Sequence, residues 1–390
     1  MGSSAPGPHS AVFNTSHSNP HVENLRSFNP EFAFLDEGLT RIGPMNIVYV
    51  LFTEKWEKIA GNRESFQNFT ALKHGNLGRQ ENEMNNSIEN VEVKSPELLK
   101  VIDQNAVVEQ ICTGFRFTEG PIWNPKEQCL YFSDMPGDVR RRWSAVDGVK
   151  EVRKPSNKCN GMTYDGAGNL YVCEHVTSSL VMETPAGERK VLASHWQGKE
   201  LNSPNDVVVR SDNSVYFSDP SYGRMPVFGL ERKQELDFKG LFRISPDGKL
   251  HLEANDFGQT NGLCFSPNEK ILYVNDSPRA HIRMFDVAPD GSLSNSRIFA
   301  EKIGNGVLEN GIVDGMKCDE RGNIYVTGPR GIWVFSPTAE HLGVIRMPEH
   351  AGNLTFGGRN WDELYCACSK SIYRVKMKVR GNPVAYMNMR

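Results

Sequence analysis

The chain has 390 residues, with 44 Lys and Arg against 47 Asp and Glu. A formal net charge of −3 leaves no basic excess for nucleic acid or an anionic membrane surface. Its 35 Gly and 22 Pro describe a turn-rich globular protein, and the longest apolar run, Ile47–Phe52, falls far short of the roughly 18 residues of a membrane span. The N-terminus has no basic stretch followed by an apolar core, and the eight Cys are scattered without a CxxC pair. The expectation is therefore a cytoplasmic protein with reduced, buried thiols.

Residues 1–104 are expected to be an N-terminal extension, mostly disordered or weakly structured. Met1–Phe28 is rich in Ser, Asn, His and Pro, a short helix is expected within Glu54–Leu72, and the polar His74–Asn90 reads as linker. From residue 105 the composition changes. Val107–Cys112 (VVEQIC) is a strand-like run with no partner nearby.

Six similar units follow. They are EGPIWNPKEQCLYFSD from Glu119, NGMTYDGAGNLYVCE from Asn160, NDVVVRSDNSVYFSD from Asn205, TNGLCFSPNEKILYVND around Asn261, DGMKCDERGNIYVTG from Asp314 and NLTFGGRNWDELYCAC from Asn353. Each is headed by an acid or an amide, then runs through a short apolar strand, a turn and a second apolar strand. Successive heads lie 41, 45, 56, 53 and 39 residues apart, and periods of about 40–50 with several strands per unit mark β-propeller blades. The fold class expected is all-β, a six-bladed β-propeller over residues 105–380 with a C-terminal tail over 381–390. The last unit supplies only three strand-like runs, NLTF, ELYCAC and SIYRVKM. Because an open sheet edge is a hazard, Val107–Cys112 is expected to close the ring as its outermost strand. Two insertions, Ser221–Lys239 and Ile303–Gly311, interrupt the pattern, and the first is expected to form a lid.

The innermost strand of each blade lines a propeller's central channel, so the six heads converge on one axis. Two carboxylates and four carboxamides form an all-oxygen donor set that suits a hard divalent cation: Ca²⁺ first, with Mg²⁺, Mn²⁺ or Zn²⁺ as alternatives. Such an ion polarises a carbonyl or phosphoryl oxygen and acidifies bound water. GxSxG, HExxH and P-loop motifs are all absent from the sequence. His175, which ends the second strand of the Asn160 unit, is a candidate general base or substrate donor. Asp134, Asp219 and Asp276 end second strands and are expected to bond turn amides.

The motifs EGPIW, NGM, CEH, LNSPNDVV, YFSDPSYG, TNGLCFSPNEKILYVND, DGMKCDERGNIYV and NLTFGG resemble those of the gluconolactonase/regucalcin (senescence marker protein) family over roughly Ser95–Lys376, most closely the gluconolactonase branch. The resemblance implies a metal-dependent lactonase that opens a sugar-type lactone to the hydroxy acid, with a small-molecule lactone as partner. Glu119, Asn261 and Asp314 match the family's metal ligands, and Asn205 matches a position beside the metal or substrate. Asp314 is also the implied base for the attacking water, with His175 as the other catalytic candidate, while Asn160, Asn205, Asp206 and His175 are candidate substrate contacts. An Arg of the regucalcin branch, two residues before the matched Asn, is Ser203 here. The alternatives are a phosphotriester or fluorophosphate hydrolase on the same metal centre and a non-enzymatic Ca²⁺-binding propeller.

Overall fold

The computed structural model describes residues 90–388. The expected irregular segment Met1–Phe28, the helix within Glu54–Leu72 and all but the last residue of the linker His74–Asn90 lie outside the described residues. Six antiparallel sheets are arranged as the blades of a propeller. Their innermost strands are Thr118–Asn124, Cys159–Tyr164, Val207–Val209, Thr260–Phe265, Met316–Cys318 and Ala351–Gly357. Each of these touches the next, and the sixth touches the first, so the ring is closed.

Burial explains the sequence pattern. In blade one the innermost strand Thr118–Asn124 is buried throughout, whereas the outermost, Gly148–Arg153, is exposed except at its last residue. Second strands such as Cys129–Asp134 and Val215–Asp219 are packed between neighbouring blades and so read as continuous apolar runs. Seven of the eight thiols are buried among these strands and all eight are free. Among the described residues no helix is long and apolar enough to cross a membrane.

The closing strand is where the unpartnered run predicted it. Glu109–Thr113 pairs with Ser371–Lys376 as the outer edge of blade six, starting two residues and ending one residue beyond the expected bounds. Part of the expected extension also belongs to the propeller. Val91–Val93 adds a fifth strand to blade five, paired with His341–Arg346. The short helix Pro96–Lys100 then buries Leu98 completely, and Ile102, also fully buried, bridges to Met377. The sequence pattern hides this because a three-residue strand carries no alternation of its own.

The C-terminal residues run across the face opposite the heads. Asn382 bonds the Cys318 and Phe265 carbonyls, and Tyr386 is buried against Tyr164 and Trp361. These contacts fall at the far ends of innermost strands, so the strap covers that end of the channel. Truncating the fully buried Leu98 tests whether residues 91–102 carry stability: Leu98→Ala is expected to lower the unfolding free energy by about 2–5 kcal/mol in urea titration, whereas an appendage would cost nothing measurable.

Candidate active site

The heads stand where the innermost strands begin, and the backbone there is irregular for a reason. The pairing register slips between Glu119 and Ile122, between Cys159 and Met162, between Thr260 and Leu263, and between Ala351 and Asn353. A bulge of this kind re-aims a side chain, and these four lie at or beside the heads Glu119, Asn160, Asn261 and Asn353. Where a glycine follows the head, neighbouring strands meet so closely that a side chain would have no space. A Cβ on Gly120 would lie 1.9 Å from the Asn160 carbonyl oxygen, and one on Gly161 would lie 2.5 Å from that of Asn205.

Polar residues just inside the ends of second strands tie three of the blades to the next. Ser133 Oγ donates to the Asn160 carbonyl at 2.9 Å, Asn275 Nδ2 to that of Asp314 at 2.5 Å, and Thr327 Oγ1 to that of Gly352 at 3.0 Å. The terminal acids behave as expected. Asp134 accepts the Arg116 amide, Asp219 the Asn202 and Ser203 amides, and Asp276 the Gly258 and Gln259 amides. The Ser-Asp and Asn-Asp endings of these strands were a readable signal, but only their acids were assigned a role from sequence.

Glu119 accepts hydrogen bonds from the Gly120 amide at 2.7 Å and from Asn353 Nδ2 at 3.0 Å. Asn353 Oδ1 is spent on the Leu354 amide at 2.8 Å, so the sixth head supports Glu119 and does not face the channel as a donor oxygen. Burial pushes Glu119 up to about 7; these two bonds oppose the shift, Asp206 adds to it, and Lys317 also opposes it. Asp314 is pushed well above the usual carboxylate range by burial first, then by the charges of Glu119 and Asp206. The charges of Glu119, Asp206 and Asp314 are thus close enough to act on one another.

Two of the head amides, Asn160 and Asn261, are held with their oxygens unspent. His175 is fully buried, and its Nδ1 lies 2.9 Å from the Phe228 carbonyl. A carbonyl can only accept, so Nδ1 carries the proton and Nε2 accepts from Asn160 Nδ2 at 3.2 Å. Asn160 Oδ1 is left without a partner. Asn261 is fixed in the same way: its Nδ2 donates at 3.0 Å to Ser277 Oγ, which itself donates to the Val313 carbonyl at 2.7 Å, and Asn261 Oδ1 is unpartnered. Asp206 Oδ1 accepts the Val207 amide at 2.9 Å, while Oδ2 has no hydrogen bond. Asn205 is buried, and its carbonyl accepts the Gly161 amide at 2.8 Å.

Among the described residues no three His, Cys, Asp or Glu side chains form a metal cluster by themselves. Carboxamide oxygens have to complete any such set. Three buried oxygens without donors, beside carboxyls that repel one another, fit a cation held by oxygen and would be costly without one. The residues present therefore fit the divalent ion expected from the heads.

The insertion Ser221–Lys239 does lie over the mouth. Lys158 Nζ donates to the carbonyls of Pro226, Val227 and Gly229 at 3.0–3.1 Å. Phe228 packs edge-on against Phe117 at 5.4 Å. The half-buried Tyr222 lies near Ser277 and Asp314, and burial pushes its phenol well above the usual range. Ser203 is committed to this lid, since its Oγ accepts the Gly223 amide at 3.0 Å and donates to the Pro220 carbonyl at 2.5 Å. Lys158, Ser277, Tyr222 and Lys317 were not singled out from sequence, for none sits at a repeat head.

A six-bladed propeller with an oxygen-lined, lidded channel is the class that fold and site define. Residues 117–370 match the SMP-30/Gluconolactonase/LRE-like region, and the chain belongs to that family. It is 32% identical to a gluconolactonase of Zymomonas mobilis over 333 residues, covering 80% of this chain and 93% of the relative. It is 26% identical to Homo sapiens regucalcin over 262 residues, covering 65% and 84%. A solved gluconolactonase structure from Xanthomonas campestris superposes with a TM-score of 0.67 at 28% identity, covering 74% of this chain and 94% of that one.

With three backbone acceptors on one ammonium, Lys158 is the latch of the lid. Lys158→Met is expected to speed tryptic cleavage after Arg232 and Lys233 by about tenfold, the blades staying intact in limited proteolysis; an unchanged rate would mean that the latch contributes nothing.

Proposed function

We propose that this chain is a metal-dependent lactonase acting on a hydroxyl-bearing, sugar-type lactone. It is a hydrolase of the gluconolactonase kind, as family membership supports. The observation that carries the finer reading is the set of three unpartnered buried oxygens, Asn160 Oδ1, Asp206 Oδ2 and Asn261 Oδ1, next to the Glu119 and Asp314 carboxyls. Glu119, Asn261 and Asp314 would hold the ion, with Asn205 at its edge and Ca²⁺ the first choice for an all-oxygen set. When bound, a divalent ion supplies Lewis-acid polarisation of the carbonyl and acidifies water.

The chain's own residues do the rest. Asp314 takes the proton of the attacking water at its carboxylate, the general-base role. His175 has both ring nitrogens engaged, and burial lowers its pKa to about 4. We therefore assign it to positioning: it aims Asn160 Oδ1 at a substrate hydroxyl. Asn205 and Asp206 offer further acceptors, and polar groups that demand hydroxyl partners disfavour a lactone lacking them. The lid, latched by Lys158, excludes bulk water from the mouth.

Hydrolysis of glucono-1,5-lactone, followed by pH-stat on chelator-treated protein, tests the assignment. Activity is expected to vanish on chelation, to return with one of Ca²⁺, Mn²⁺, Mg²⁺ or Zn²⁺, and to fall at least about a hundredfold in Glu119→Gln. Full activity after chelation would sink the metal assignment, and turnover of a phosphotriester but of no lactone would move the protein to that class. His175→Phe is expected to lower kcat by about 10- to 100-fold while leaving the pH–rate profile in place. Loss of a limb of that profile would instead make His175 the base.

A further inference from the structure

Lys317 is the one cation placed against the channel carboxylates among the described residues, and the lactonase reading gives it no role. It lies on the innermost strand of blade five, Met316–Cys318, with its side chain 20% exposed. Its Nζ donates to the Met316 carbonyl at 3.0 Å and stands 4.0 Å from Asp206 Oδ2. The facing residue is just as unusual. Gly follows the heads Glu119, Asn160, Asn261 and Asp314, but Asp206 follows Asn205 and adds a third acid to the ring.

The distance matters. At 4.0 Å the ammonium is too far from Asp206 for a normal hydrogen bond, so it does not consume the oxygen that a ligand would use. Its charge still acts through space, because buried charges are weakly screened. Counted formally, as they would stand with an ion bound, three carboxylates against one ammonium carry two net negative charges, which one divalent ion neutralises.

Resting on the metal-site reading above, we propose that Lys317 is a specificity-determining counter-charge. It holds the Glu119–Asp206–Asp314 site at two net negatives and so tunes it to divalent rather than trivalent cations. The role needs no contact with the ion. A neutral side chain would leave three negatives, and the extra attraction grows with the charge of the ion.

The test compares Tb³⁺ affinity, read by luminescence, with Ca²⁺ affinity, read by calorimetry, on the full chain. In Lys317→Met the preference for Tb³⁺ over Ca²⁺ is expected to rise by roughly tenfold. In Asp206→Asn it is expected to fall by a similar factor. In the double variant, which restores two net negatives, it is expected to return to near the wild-type value. Lys317→Arg keeps the charge and is expected to keep the ratio; if Lys317→Met does not fold, Lys317→Gln takes its place. Loss of both ions in Glu119→Gln identifies the site being measured. A ratio unmoved by neutralising Lys317, while the wild type binds both ions, overturns this proposal alone. A wild type that binds neither ion overturns it together with the metal site.

Discussion

Three carboxyl groups and several carboxamide oxygens share one narrow, buried space, and much of the structure around them serves to hold them there. Burying like charges is unfavourable unless a counter-charge enters with them. Glu119 and Asp314 register that conflict as upward shifts, and Asn160, Asp206 and Asn261 register it as oxygens without donors. The propeller imposes this meeting through its geometry, because closing six blades brings the starts of all six innermost strands to the axis.

Rigidity comes from shared bonds between blades rather than from the heads themselves. Ser133, Asn275 and Thr327 each bond the backbone at the next blade's head, and the terminal acids pin the loops leading into the heads. The amides are aimed from behind, Asn160 by His175 and Asn261 by Ser277. His175 in turn bonds the Phe228 carbonyl of the lid, so lid and donor ring form one polar network. In such a network the value of a side chain lies in what it orients.

The candidate site was legible in the sequence to the extent that it repeats. Glu119, Asn160, Asn205, Asn261 and Asp314 occupy one register position, and repetition marked them before any contact was known. Asn353 occupies the same position and yet spends its oxygen on the Leu354 amide, a local choice that register does not encode. His175 was visible as a polar residue at a strand end, but its tautomer depends on Phe228, 53 residues later in the chain. Lys317 was hidden because it sits in a three-residue, largely buried innermost strand, where period-two alternation cannot tell which residue meets the channel.

By itself the sequence determined the repeat, the number of blades, the closing strand at the outer edge of blade six and an oxygen-rich set of heads. All of these follow from local patterns that recur along the chain. Only the tertiary structure decided that residues 91–102 extend blade five, that the C-terminal strap covers the far end of the channel, and that Lys317 faces Asp206. Each of these is a meeting of segments far apart in sequence, and none is required by the local pattern of either partner. Ring closure brings such segments together, and their separate sequences carry no mark of it.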